Sequence, residues 1–268
     1  MMFNAKNAQV QIPGGKMDYI RFGSGKKNLI ILPGLGDGLK TVKGTALPMA
    51  LMYRIFGKDY RVYAFSRIHE LPERYSTRDM ARDQARAMET LGIGKADVLA
   101  VSMGGMIAQH LAADYPEKVG RLVLAVTSAG PNALLEESVK EWMDLARKND
   151  PAGFMDSNLR RIYSEDYYRK NKWMAPVVGK LTKPKSYDRF FIQAQACLDH
   201  NAADRLAGIQ APTLVVGGEK DLCLGPDASR EIAARIPGAK LKIYEQWGHG
   251  LYEEAGDFNS LVLEFLTK

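Results

Sequence analysis

Short apolar runs recur along the chain and alternate with stretches of helical period. Eight of them read as strands, at 8–12, 17–22, 28–32, 61–65, 96–101, 121–126, 213–216 and 240–244. Two, Leu29-Ile30-Ile31-Leu32 and Leu122-Val123-Leu124-Ala125-Val126, are apolar without interruption, the pattern of strands buried on both faces of a parallel sheet. Between the strands, 78–91 reads as a helix. Ser76 or Thr77 can cap it, Met80, Gln84, Met88 and Leu91 fall near one face, and Gly92 can end it. Further helices are expected at 104–115, stopped by Pro116, at 226–236, closed by Pro237-Gly238, and at 257–266. A strand-then-helix rhythm of this kind gives the fold class α/β. It fails between Pro131 and Arg205, where helical segments, tyrosines and lysines occur without an apolar strand. The expected organisation is therefore a core of residues 1–130 and 206–268 with a helical insertion, 131–205, above the sheet.

Composition narrows the picture. The 268 residues, 46% hydrophobic and 25% charged, suit one core with an elaboration. The net charge of +6 is spread along the chain without a zinc-finger or basic-helix pattern, so nucleic acid is not the expected partner. Two cysteines, Cys197 and Cys223, have neither the count of a disulfide framework nor zinc-site spacing, which fits a reducing, cytoplasmic setting. The first residues lack the apolar run of a secretory signal. No stretch of about 18 apolar residues is present to span a bilayer.

The most informative segment is Ala96-Asp97-Val98-Leu99-Ala100-Val101-Ser102-Met103-Gly104-Gly105. A strand runs into Ser102 and a helix leaves just after it. A turn this sharp strains the serine's backbone and crowds the positions two before and two after it, which must be small. They are Ala100 and Gly104.

A free serine hydroxyl is a poor nucleophile and needs an imidazole to take its proton, with a carboxylate to orient that imidazole. Candidates stand just past two late strands: Asp221 after Val215-Val216-Gly217-Gly218, and His249 in Trp247-Gly248-His249-Gly250. Parallel strands put both on the edge of the sheet that carries Ser102. The other histidines fit less well. His69 reads as a polar loop residue, His110 as a packing or surface residue of a helix, and His200 lies at the insertion's end. Among competing acids, Asp227 suits a helix's first turn and Asp204 precedes its strand instead of following it. The glycine-rich turn Leu32-Pro33-Gly34-Leu35-Gly36-Asp37-Gly38 lacks the Lys-Ser/Thr ending of a phosphate loop and the spacing of a dinucleotide fingerprint, so no cofactor or metal is expected.

The serine turn resembles the nucleophile elbow of α/β-hydrolases, Gly-x-Ser-x-Gly, with Ala100 in place of the first glycine. Asp79-Met80-Ala81, Leu91-Gly92-Ile93, Ser102-Met103-Gly104-Gly105 and Tyr115-Pro116-Glu117-Lys118-Val119 are similar to the capped members that include enol-lactonases, carboxylesterases and prolyl iminopeptidases. The resemblance implies an eight-stranded, mostly parallel sheet, a helical cap and the chain order Ser, Asp, His. It also implies an oxyanion hole from the backbone N–H groups of Met103 and Leu35, the latter in a turn where Pro33 replaces the family's usual histidine. A serine at the elbow implies an acyl-enzyme route on a small-molecule ester, lactone or thioester. Aminopeptidase activity of the prolyl iminopeptidase kind, or a non-catalytic binding protein of the same fold, are the alternatives. In the insertion, Trp142, Phe154, Tyr163, Tyr167, Tyr168 and Trp173 are expected in its own core or along a pocket. Its run of basic residues from Arg169 to Lys185 is expected on a solvated face.

Overall fold

Alternation of side chains along the strands decides the layering. The computed structural model describes residues 2–268. In the strand Lys27–Leu32, Ile30 and Leu32 face one core while Leu29 and Ile31 face another. In Ala96–Val101 the same split sends Val98 and Ala100 one way and Leu99 and Val101 the other. Both sides are apolar because helices cover both sides. Thr77–Thr90, Met103–Asp114 and Asp227–Arg235 contribute to the first core, and Ala46–Met52 and Phe258–Thr267 to the second.

The eight strands are β1 (Lys6–Ile12), β2 (Gly15–Phe22), β3 (Lys27–Leu32), β4 (Tyr60–Ile68), β5 (Ala96–Val101), β6 (Val119–Ala125), β7 (Thr213–Gly218) and β8 (Lys240–Tyr244). They form one sheet in the order β1-β2-β4-β3-β5-β6-β7-β8. β1 and β2 are antiparallel to each other and β2 is antiparallel to β4; every later pair is parallel. After β4 the chain crosses back over β3 to reach β5. That reversal leaves a crevice at the carboxyl ends of the central strands, where ligands collect in open α/β sheets.

All eight expected strands are present; six are extended by one to four residues, and β6 ends one residue early, at Ala125. Ser76 caps the helix Thr77–Thr90 in a full capping box with Asp79, and Gly92, at φ 67°, takes the chain out of it. The helix Ala46–Met52 was not foreseen. It buries only Ala46 and Ala50 and leaves Leu47 and Leu51 exposed, so its apolar pattern does not mark a buried face. Between β6 and β7 lie the α-helices Ala133–Arg147, Pro151–Ile162, Glu165–Asn171, Ala175–Thr182 and Asp188–Leu198, with no strand among them.

Candidate active site

The turn after β5 does what its small residues allow. Ser102 sits at φ 54° and ψ −122°, outside the ordinary range for a residue with a side chain, and opens the helix Met103–Asp114. The strain is held from several sides. Ser102 N–H donates to the Ala125 carbonyl at 2.9 Å, and the Thr127 hydroxyl donates to the Ser102 carbonyl at 2.8 Å. A Cβ on Gly104 would stand 2.0 Å from the Leu32 carbonyl oxygen, so only glycine fits there. Thr127 reaches its place because Val126, directly after β6, also has positive φ, 44°.

Asp221 and His249 arrive from the ends of β7 and β8. His249 Nε2 lies 3.0 Å from Ser102 Oγ, and His249 Nδ1 lies 2.8 Å from Asp221 Oδ2. A carboxylate only accepts, so Nδ1 carries the ring proton and Nε2 faces the serine hydroxyl as an acceptor. The second Asp221 oxygen takes the N–H groups of Cys223 and Leu224 at 2.8 and 2.9 Å, which fixes the plane of the carboxylate. Asp221 and His249 are both buried. The structure thus brings together Ser102, Asp221 and His249.

Leu35 and Met103 each open a helical segment, Leu35–Gly38 and Met103–Asp114, so their N–H groups lack an acceptor within it. Both residues flank the serine turn. Leu35 lines a cavity of about 470 Å³ that also exposes Ser102 and His249. Met49, Met52, Tyr53, Trp142, Phe154, Ile162 and Phe190 make most of its wall apolar. Asp37 and Glu253 are the carboxylates among its lining residues; burial raises the Glu253 pKa, and the Tyr163 hydroxyl, donating at 2.8 Å, pulls the other way.

A buried polar cluster stands behind the Leu35 turn. Asp37 Oδ2 accepts from Arg189 Nη2 at 2.6 Å, Gln193 Nε2 at 3.1 Å and the Arg67 N–H at 3.3 Å. Arg67 Nη2 donates to the Pro33 carbonyl at 2.8 Å. Arg67 is wholly enclosed; burial pulls its pKa down while Asp37 opposes the shift. Nothing in the sequence singled out this cluster, whose members come from three separate segments: the turn 33–37, β4 and the helix Asp188–Leu198.

Other candidates fall elsewhere. His69 pairs with Asp18 of β2 at 3.0 Å and is not among the residues that line the cavity. His110 and His200 are buried against each other, rings edge to face at 5.3 Å, away from the cavity. Asp227 lies in a helix's first turn, and Asp204 in the 3₁₀ turn Ala203–Gly208 before β7. Of the insertion's aromatics, Trp142 and Phe154 line the cavity, Tyr163 and Tyr167 stack on each other, and Trp173 is exposed. The donors Asp221, Cys223 and His249 lie within 4.8 Å of one another, a spacing that suits a metal. Here their lone pairs and protons are already engaged. The Cys223 thiol points to the Arg161 carbonyl and is held well above its ordinary pKa, by burial first and by Asp221 second.

The sequence model of the alpha/beta hydrolase fold family matches residues 27–256. The chain belongs to this family. It is 31% identical over 209 residues to a 2-hydroxy-6-oxononadienedioate/2-hydroxy-6-oxononatrienedioate hydrolase of Burkholderia vietnamiensis, covering 70% of this chain and 68% of that protein. Among solved structures, the enol-lactonase from Burkholderia xenovorans LB400 superposes with a TM-score of 0.81 at 24% identity, covering 97% of this chain and 100% of the other. MGS-M2, an alpha/beta hydrolase enzyme from a Medee basin deep-sea metagenome library, gives 0.85 at 21% identity, covering 97% and 98%. The relatives are hydrolases, and the structural neighbours share the fold.

Proposed function

We propose that this member of the alpha/beta hydrolase family is a serine hydrolase that cleaves an ester, lactone or thioester of a small, largely apolar molecule through an acyl-enzyme. The observation that carries the reading is the continuous chain from Asp221 through His249 to Ser102, at 2.8 and 3.0 Å. In this reading Ser102 Oγ attacks the carbonyl carbon as His249 Nε2 takes its proton. Asp221 holds the imidazole by Nδ1 and stabilises its cationic form. The Leu35 and Met103 N–H groups bind the oxyanion. His249 then returns the proton to the leaving oxygen or sulfur, and the same base activates water to release the acid. The helices between β6 and β7, in the segment 131–205, act as a cap that supplies the apolar wall.

The relative's substrate is a dioate, with two carboxylates to bind. Apart from His249, Lys40 is the one basic residue among those lining the cavity, and the Glu253 carboxylate opposes an anion. That balance favours an uncharged acyl chain over a dicarboxylate. The test is hydrolysis of short and medium p-nitrophenyl esters by wild type and Ser102→Ala, with fluorophosphonate labelling. The variant should lose about 10⁴-fold or more in kcat and all labelling. Equal rates, or label on another residue, would refute the assignment.

A further inference from the structure

The helix Ala175–Thr182 is arranged inside out. Its inward positions are small: Ala175 and Gly179 are buried, and a Cβ on Gly179 would stand 2.1 Å from the Pro151 carbonyl oxygen, so this helix meets Pro151–Ile162 backbone to backbone. Its outward positions are large and apolar. With the preceding turn Lys172–Met174, it presents Trp173, Val177 and Leu181 one helical turn apart, exposed to 73, 60 and 80%. A surface helix ordinarily turns such residues inward. Three on one stripe are a patch, not scattered single exposures.

Its surroundings are cationic. Between Arg169 and Lys185 there is no acidic residue, and Lys170, Lys172, Lys180, Lys183 and Lys185 are all exposed. Arg169 pairs with Glu165 and Asp166, whereas among the described residues the lysines in ion pairs are Lys140 and Lys268, neither of them in this segment.

We propose that this face docks the protein on an anionic lipid–water interface. Trp173 would sit at headgroup level, Val177 and Leu181 in the upper acyl region, and the lysines against lipid phosphates. Charge selects this occupant over a second copy of the chain. A two-fold contact through the stripe would bring each lysine set against itself. No helix among the described residues is long and apolar enough to cross a membrane, so the association is peripheral. The helix Pro151–Ile162 separates the stripe from the cavity, which it lines with Phe154, Asn158 and Ile162. A docked membrane surface therefore lies one helix away from the site.

Full-length protein is sedimented with phosphatidylcholine vesicles, with and without about 30% phosphatidylglycerol, while tryptophan emission is recorded. Binding should be at least about tenfold stronger with the anionic lipid, should weaken about tenfold between roughly 50 and 500 mM NaCl, and should shift emission to the blue. Trp173→Ser/Leu181→Ser should lose most binding at unchanged Tm. Lys172→Gln/Lys180→Gln/Lys183→Gln should lose the preference for phosphatidylglycerol. Ser102→Ala should bind as wild type, which keeps this result separate from the fate of the proposed chemistry. No binding to anionic vesicles, or binding untouched by the stripe and lysine variants, overturns the proposal. So does light scattering that shows a dimer in wild type and a monomer in the stripe variant.

Discussion

Ser102 keeps its strained backbone because each neighbour closes an escape. The Ala125 carbonyl holds its N–H, the Thr127 hydroxyl holds its carbonyl, and Gly104 lies against Leu32 with no room for a side chain. Gly104→Ala forces a backbone shift at this crossing. It should cost about 3 kcal/mol or more, read as a lower urea midpoint, with hydrolysis lost in whatever remains folded. Ala100→Gly tests the other small position. It restores the usual motif but puts glycine inside β5, and should lower stability by about 0.5–1 kcal/mol with kcat within about twofold of wild type. A large gain in kcat would show that the alanine obstructs the turn. At this scale the sequence was most readable where a candidate residue stands shortly after the carboxyl end of a strand, as Ser102, Asp221 and His249 do. Asp37, Arg67, Arg189 and Gln193 escaped it because each alone reads like a solvated polar residue, and only folding brings them into one buried cluster.

Arg189 connects two elements that the chain order keeps apart. It lies in the helix Asp188–Leu198, between β6 and β7. From there its guanidinium reaches Asp37 Oδ2, the Asp37 carbonyl at 3.0 Å and the Arg67 carbonyl at 3.1 Å. The turn it grips is the one that offers the Leu35 N–H. Arg189→Ala should therefore lower kcat by about tenfold or more, short of the ~10²–10³ that follows loss of an oxyanion donor outright. KM should stay within about threefold, and a trifluoromethyl ketone should bind more weakly in proportion. A change in KM alone would place Arg189 in substrate binding instead. Elements were legible where large residues face inward, as in the central strands and the helices Thr77–Thr90, Met103–Asp114, Asp227–Arg235 and Phe258–Thr267. Ala46–Met52 and Ala175–Thr182 reverse that rule by burying alanine or glycine and exposing leucine, valine or tryptophan, so periodicity could not show how they pack.

Across the whole molecule, one buried pair joins three helices. His110 stands on Met103–Asp114, His200 follows Asp188–Leu198, and His200 Nδ1 meets the Thr77 hydroxyl at 2.9 Å. Burial pulls the His110 pKa to about 4 and that of His200 to about 3. Their unfolded counterparts take protons below about pH 6.5, while the folded protein resists until near those lower values. Stability supplied by the neutral pair is thus complete above pH 6.5 and declines as pH falls, by up to ~1.4 kcal/mol per pH unit for each histidine. Urea midpoints at pH 7 and pH 5 should differ, and His200→Asn should flatten the difference; an equal slope in the variant would assign the acid sensitivity to other groups.

The helical segment between β6 and β7 is fastened on two flanks. Arg189 ties it to Asp37, and at the other side Ser164 Oγ donates to Glu254 at 2.6 Å while the Gly250 N–H donates to the Ile162 carbonyl. Gly250 is the residue after His249. Any excursion wide enough to admit a bulky molecule would therefore drag His249 and the Leu35 turn, the proposed base and oxyanion donor, away from Ser102 together. Admission and reaction then exclude each other in time: the open form exchanges without reacting, and the closed form reacts without exchanging. Small esters that need no such excursion should turn over at a rate indifferent to solvent viscosity, whereas bulky ones should slow as glycerol or sucrose slows the closing movement.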